Sequence, residues 1–133
     1  MKTDERVFLE ALERGIELFN EARFMEAYEV WEDQWTQDAS DGTDLLQGLL
    51  QLAVGLAKLQ GGNPQGTKKL LEQGIKQLEP YRPEAYDIDI DALVQIAQEY
   101  GSRAQELIDT GENRGNTIQR APAPNGAKSD PIE

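Results

Sequence analysis

From Gln47 to Asn63 the chain reads Gln-Gly-Leu-Leu-Gln-Leu-Ala-Val-Gly-Leu-Ala-Lys-Leu-Gln-Gly-Gly-Asn, almost without an ordinary polar face. A helix apolar nearly all round must be covered by other elements, so this segment is expected at the centre of a small helical domain. Its few polar residues are not scattered. At 100° per residue, Asp44, Gln47, Gln51 and Lys58 fall within an arc of roughly 60°. Gly48 and Gly55, seven apart, nearly superpose on the same wheel and would let another helix come close.

Composition narrows the function classes. The 133 residues are enough for one domain with a core of its own. The chain contains neither cysteine nor histidine. Disulfides and thiolate metal sites are therefore excluded, and so are the commonest general base and transition-metal ligand. A net charge of −12, from 25 acidic and 13 basic residues, disfavours nucleic acid and anionic membrane as partners. The sequence from Met1 passes directly into an amphipathic pattern without a signal-peptide apolar block, and Gln51 and Lys58 interrupt the longest apolar run. A cytoplasmic location is the expectation.

Five helices can be drawn. The first follows Thr3, carries Asp4 and Glu5 in its first turn, repeats Val7, Phe8, Ala11, Leu12, Ile16 and Phe19 at helical spacing, and ends at Asn20-Glu21. A second, from about Arg23 to Gln37, carries Phe24, Tyr28, Trp31 and Trp35 on one stripe. The turn formers from Asp38 to Thr43 make a loop, and Thr43 can cap the central helix. Gly61-Gly62 stops that helix, and Asn63-Pro64 starts a fourth, with a capping side chain followed by proline in the first turn. It should bury Leu70, Leu71, Ile75 and Leu78 and end before Pro80. The run from Pro80 to Pro83 is expected to lack regular structure, and Asp89 to cap a fifth helix from Ile90 to about Thr110.

The predicted architecture is all-α: a compact bundle of two antiparallel helical hairpins plus a C-terminal helix, occupying residues 1–111. Residues 112–133, rich in proline, glycine and polar side chains, are expected to form a flexible tail. There is also an internal echo. Asn20-Glu-Ala-Arg-Phe-Met-Glu-Ala27 opens the second helix much as Gln60-Gly-Gly-Asn-Pro-Gln-Gly-Thr67 opens the fourth. The forty-residue spacing departs from the tetratricopeptide period of about 34, and the consensus of that repeat is lacking.

One carboxylate stands out on the second helix. Glu32 lies four residues after Tyr28 and three before Trp35, within the aromatic stripe, with Glu29 at its edge. A buried carboxylate is costly unless paired, and Lys58, Gln51, Gln47 and the Tyr28 hydroxyl are partners of the right kind. Helix two is therefore expected to meet the central helix with Glu32, and Glu29 beside it, facing the stripe of Gln47, Gln51 and Lys58. Set against this, the same residues could be the ordinary solvent face of two helices, and Trp31 and Trp35 are packing residues by type.

These residues also carry a resemblance. Phe19-Asn20, Phe24-x-Glu-Ala-Tyr-Glu-x-x-Glu-x-x-Trp35, Leu46-Gln-Gly-Leu-x-Gln51-Leu-Ala, Gly62-Asn63 and Tyr86-x-Ile-Asp89 are similar to the bacterial and archaeal family named domain of unknown function 309, from about Ala11 to Leu93. The resemblance implies a compact all-helical domain and a polar cluster of Tyr28, Glu29, Glu32, Trp35, Gln47, Gln51 and Lys58. In the family pattern histidine usually stands at the positions of Tyr28 and often of Lys58. An ammonium among would-be ligands opposes a metal, so no metal and no cofactor are expected here.

The leading expectation is a non-enzymatic domain that binds a protein partner or small polar ligand at this cluster, with no catalytic residues. The alternatives are an enzyme using Glu32 as acid or base, and a homo-oligomeric scaffold joined through exposed apolar residues such as Val30. A glutamate paired with lysine would have a lowered pKa, which suits a general base poorly near neutral pH.

Overall fold

The computed structural model describes residues 2–37 and 43–111. Residues 38–42 of the loop expected from Asp38 to Thr43 and the flexible tail expected at 112–133 lie outside the described residues, as does the side chain of Trp35. The helices are α1 (Lys2–Asn20), α2 (Phe24–Gln37), α3 (Thr43–Gln60), α4 (Pro64–Leu78) and α5 (Ile90–Thr110). Thr3 and Thr43, expected ahead of α1 and α3, fall inside their first turns. Each helix packs against the next in sequence, so α3 is covered by both α2 and α4.

Two turns connect α1 to α2 and α3 to α4, and they are copies of one another. Ala22 (φ 64°) and Gly62 (φ 85°) occupy the same left-handed position. The amide of Arg23 donates to Leu18 O at 2.9 Å and that of Asn63 to Lys58 O at 2.8 Å, while Ala22 and Gly62 donate to Phe19 O and Leu59 O. Both are Schellman closures, which satisfy the last carbonyls of the preceding helix. Every partner lies forty residues from its counterpart, so the echo read in the sequence is a structural repeat. Asn63 then caps α4, accepting from the Gly66 amide at 3.0 Å, with Pro64 in the first turn.

The glycines set how closely the helices approach. Gly15 of α1 faces the Trp31 indole of α2, and Gly55 of α3, forty residues on, faces Leu71 of α4. Gly48 receives Leu78, and a Cβ on Gly74 would come within 3.1 Å of the Gly48 carbonyl oxygen. The close approach expected at Gly48 and Gly55 is thus made by α4. Around these contacts one continuous core forms, with Phe19, Trp31, Leu46, Leu52, Leu71 and Leu93 each at most 1% exposed. Burying each such side chain contributes roughly 1.5–3 kcal/mol.

The segment after α4 differs from expectation. A single 3-10 turn spans Glu79–Tyr81, and β1 (Glu84–Ala85) pairs antiparallel with β2 (Ile88–Asp89). Proline stops the helix without preventing a ladder beyond it. Tyr86 (φ 51°) and Asp87 (φ 67°) make the two-residue turn, and the Tyr86 ring meets Phe8 of α1 edge-on at 5.3 Å. Asp89 ends the ladder and caps α5 through the Ala92 amide at 2.9 Å, as the sequence predicted.

Candidate functional site at Tyr28 and Glu32

The buried face of α2 is Phe24, Ala27, Trp31 and Gln34. Tyr28 and Glu32 stand at one edge of it, both half-buried, rather than at its centre. Four residues apart, they meet on the helix surface: the Tyr28 hydroxyl donates to Glu32 Oε2 at 3.2 Å. Burial first, then the negative charge and hydrogen bond of Glu32, push the Tyr28 phenol above its ordinary value. The phenol therefore stays protonated near neutrality and keeps donating. On the opposite edge of α2, Val30 packs against the core and lines a groove with Leu18 of α1. Val30 is half-buried, so it is not the exposed apolar patch proposed for self-association.

Lys58 does not meet Glu32. Among the described residues no ion pair joins Lys58 to Glu32 or Glu29. The helical register explains the separation. Gln60 Nε2 donates to Ala22 O at 3.2 Å, which places the end of α3 beside the start of α2. Counting inward from that bond along antiparallel helices, Lys58 is level with Phe24, whereas Glu32 is level with Leu50. Eight residues of axial offset amount to about 12 Å, too far for the two side chains to pair. The repeat gives a second reason, because Lys58 is the counterpart of Leu18 and faces the other helix of its own hairpin. Its stem lies over Gly66 in the first turn of α4, where a Cβ would come within 2.7 Å of Lys58 Cδ.

The remaining members of the expected cluster also separate. Glu29 is exposed and lines the α1/α2 groove of about 370 Å³ with Arg14, Arg23, Glu26 and Val30. Asp44 is exposed and Gln47 half-buried. Gln51 is half-buried, its Oε1 buried and without a protein hydrogen-bond partner. Among the described residues, Tyr28 and Glu32 are thus the two expected ones joined by a direct bond.

Sequence reasoning missed their counterparts. Forty residues on stand Lys68 and Glu72, joined at 2.9 Å. They border a groove of about 320 Å³ between α4 and α5, with Leu71, Ile75, Ala97 and Gly101 among its walls. The echo between Asn20 and Gln60 contained the signal, since extending it along α4 reaches both residues.

Among the described residues no three His, Cys, Asp or Glu side chains group as metal ligands would. No described helix is long and apolar enough to cross a membrane. None of the curated proteins compared with the chain matches it. The family comparison covers residues 12–70, from the third turn of α1 through α2 and α3 into α4, and leaves the similar motif at Tyr86–Asp89 outside the match. That segment matches the model of the family described as Domain of unknown function (DUF309), to which it is similar.

Proposed function

We propose that this chain is a non-enzymatic, cytoplasmic binding domain that takes a partner protein or small polar ligand at the Tyr28–Glu32 edge of α2. The observation that carries the reading is the state of Glu32. Its carboxylate is half-buried and oriented by the Tyr28 hydroxyl, yet none of the ion pairs among described residues includes it. A carboxylate with no counter-ion among the described residues favours an arriving cation or a donor-rich group, and the Tyr28 ring supplies an aromatic face beside it. An acid–base role for Glu32 is supported less well, because the lysine that would tune it lies about 12 Å away along α3.

The test uses n-butylammonium chloride, a lysine side-chain analogue, titrated into the ¹⁵N-labelled full chain. Saturable amide shifts are expected around Tyr28 and Glu32. They should vanish in Glu32→Gln and persist in Lys58→Met, with the melting temperature of both variants close to that of the parent. Shifts that are absent, or that survive Glu32→Gln, would refute the site.

A further inference from the structure

A carboxylate can hold a cation in two ways, and the structure contains both. Arg23 forks onto Glu26, with Nε donating to Oε1 and Nη2 to Oε2 at 3.0 Å, so both oxygens are used. Lys68 uses a single oxygen, donating to Glu72 Oε2 at 2.9 Å. The forty-residue repeat makes Glu72 the counterpart of Glu32 and Lys68 the counterpart of Tyr28. The second unit thus supplies its acid with an ammonium from one turn earlier on the same helix. The first unit puts a phenol in that place, and the Tyr28 hydroxyl takes only Glu32 Oε2, at 3.2 Å. Among the described residues Glu32 Oε1 has no partner. The buried side-chain atoms without a partner there are Asn20 Oδ1 and Gln51 Oε1, so Glu32 Oε1 reaches solvent.

We propose that the Tyr28–Glu32 edge takes a primary ammonium in preference to a guanidinium, and that the Tyr28 hydroxyl sets this preference. The proposal rests on the reading of this edge as a binding site and names the cation that fits it. An ammonium is a compact charge that needs no more than one carboxylate oxygen. Placed on Oε1, it completes Glu32 much as Lys68 completes Glu72. A guanidinium is a planar fork, and its strength on a carboxylate comes from two parallel bonds. With the phenol on Oε2, the fork must compete for that oxygen and keeps one bond uncontested. Burial and the charge of Glu32 hold the Tyr28 phenol above its ordinary value, so the competing donor is present at neutral pH. The Tyr28 ring face is open to either cation and adds affinity without choosing between them. A quaternary ammonium has the charge and no N–H donor, so it should bind more weakly than the primary one. The same ammonium chemistry is carried by a lysine of a partner chain and by a small free amine.

Four probes are titrated into the ¹⁵N-labelled full chain at neutral pH: n-butylammonium, n-butylguanidinium and tetramethylammonium chlorides, and Nα-acetyl-lysine N-methylamide. Butylammonium is expected to shift the amides of Tyr28 and Glu32 and to bind about threefold or more tighter than butylguanidinium, the equivalent of one net hydrogen bond. Tetramethylammonium should bind more weakly than butylammonium. Tyr28→Phe keeps the ring and frees Oε2, so butylguanidinium should draw level with butylammonium or pass it. Glu32→Gln should remove the binding of both. Blocked lysine binding as tightly as butylammonium would support the proposal with a polypeptide as the source. Its exclusion, with butylammonium still bound, would support it with a free amine as the source. Butylguanidinium as tight as butylammonium on the parent chain, or a ratio unchanged by Tyr28→Phe, would overturn the preference and leave the cation site standing. Saturable shifts from none of the probes would remove the site, and the preference with it.

Discussion

The indole of Trp31 occupies the space where a side chain on Gly15 would stand: a Cβ built on that glycine falls 2.0 Å from Trp31 Nε1 and 2.2 Å from Cε2. Trp31 is fully buried, and its Nε1 donates to Leu12 O in a long hydrogen bond of 3.5 Å. The first hairpin is therefore closed by a glycine that makes room and an aromatic ring that fills it. The second repeats the device with Gly55 and Leu71.

Gly15→Ala should destabilise the chain by roughly 3 kcal/mol or more, because a rigid indole ring cannot yield to the added methyl group. Gly55→Ala should cost less, since the nearest atom, Leu71 Cδ2 at 3.0 Å, is the end of a flexible side chain. Gly101→Ala, with nothing within 4 Å, should stabilise by up to about 1 kcal/mol through helix propensity. Urea denaturation of the three variants checks both the order and the signs.

The twin turns should respond in opposite directions. Ala22 holds a left-handed backbone that costs a non-glycine residue roughly 1–2 kcal/mol. Ala22→Gly should therefore stabilise by up to about 1 kcal/mol, after the added entropy of the unfolded glycine is subtracted. Gly62→Ala, at φ 85°, should destabilise by a similar amount. Thermal melts of the pair read the sign directly.

Tyr28 should titrate above the ordinary tyrosine value, because burial and the neighbouring Glu32 both disfavour the phenolate. A group whose folded pKa is raised contributes stability that is complete below its unfolded value near 10. That stability is lost as the pH climbs through the raised folded value. Selectively ¹³C-labelled tyrosine should report a late Tyr28 titration, which Glu32→Gln brings part of the way down. Tyr28→Phe should remove the corresponding part of the alkaline loss of stability.

Thr67 is fully buried where α4 meets α3, and its hydroxyl lies 2.8 Å from Gly55 O and 3.1 Å from Asn63 O. Thr67→Val keeps the shape and removes the donor. A loss of about 1 kcal/mol is expected in denaturant unfolding, with the secondary-structure signal of the folded state unchanged.

Much of the fold was legible because its signals act over a few residues. Asn63-Pro64 and Asp89 start α4 and α5 where they were read, and Gly61-Gly62 ends α3. The β1–β2 hairpin was not legible. Its turn is Tyr86-Asp87, which lacks the glycine or asparagine that usually marks two consecutive left-handed residues. The Tyr86 ring against Phe8, nearly eighty residues earlier, is a contact no local pattern announces.

The candidate site divides along the same line. Tyr28 and Glu32 share one helix, so their spacing alone brought them within reach. Pairing Glu32 with Lys58 needed the height of one helix against the next, and a helical wheel gives an angle without a height. The Gln60 bond to Ala22 O and the entry of Leu71 and Leu78 at Gly55 and Gly48 supplied that height and turned Lys58 toward α4. Periodicity and capping thus determined where each helix runs and which side it buries, through interactions a turn or two long. Which buried sides face one another, and at what level, was decided by steric fit between residues far apart in the chain.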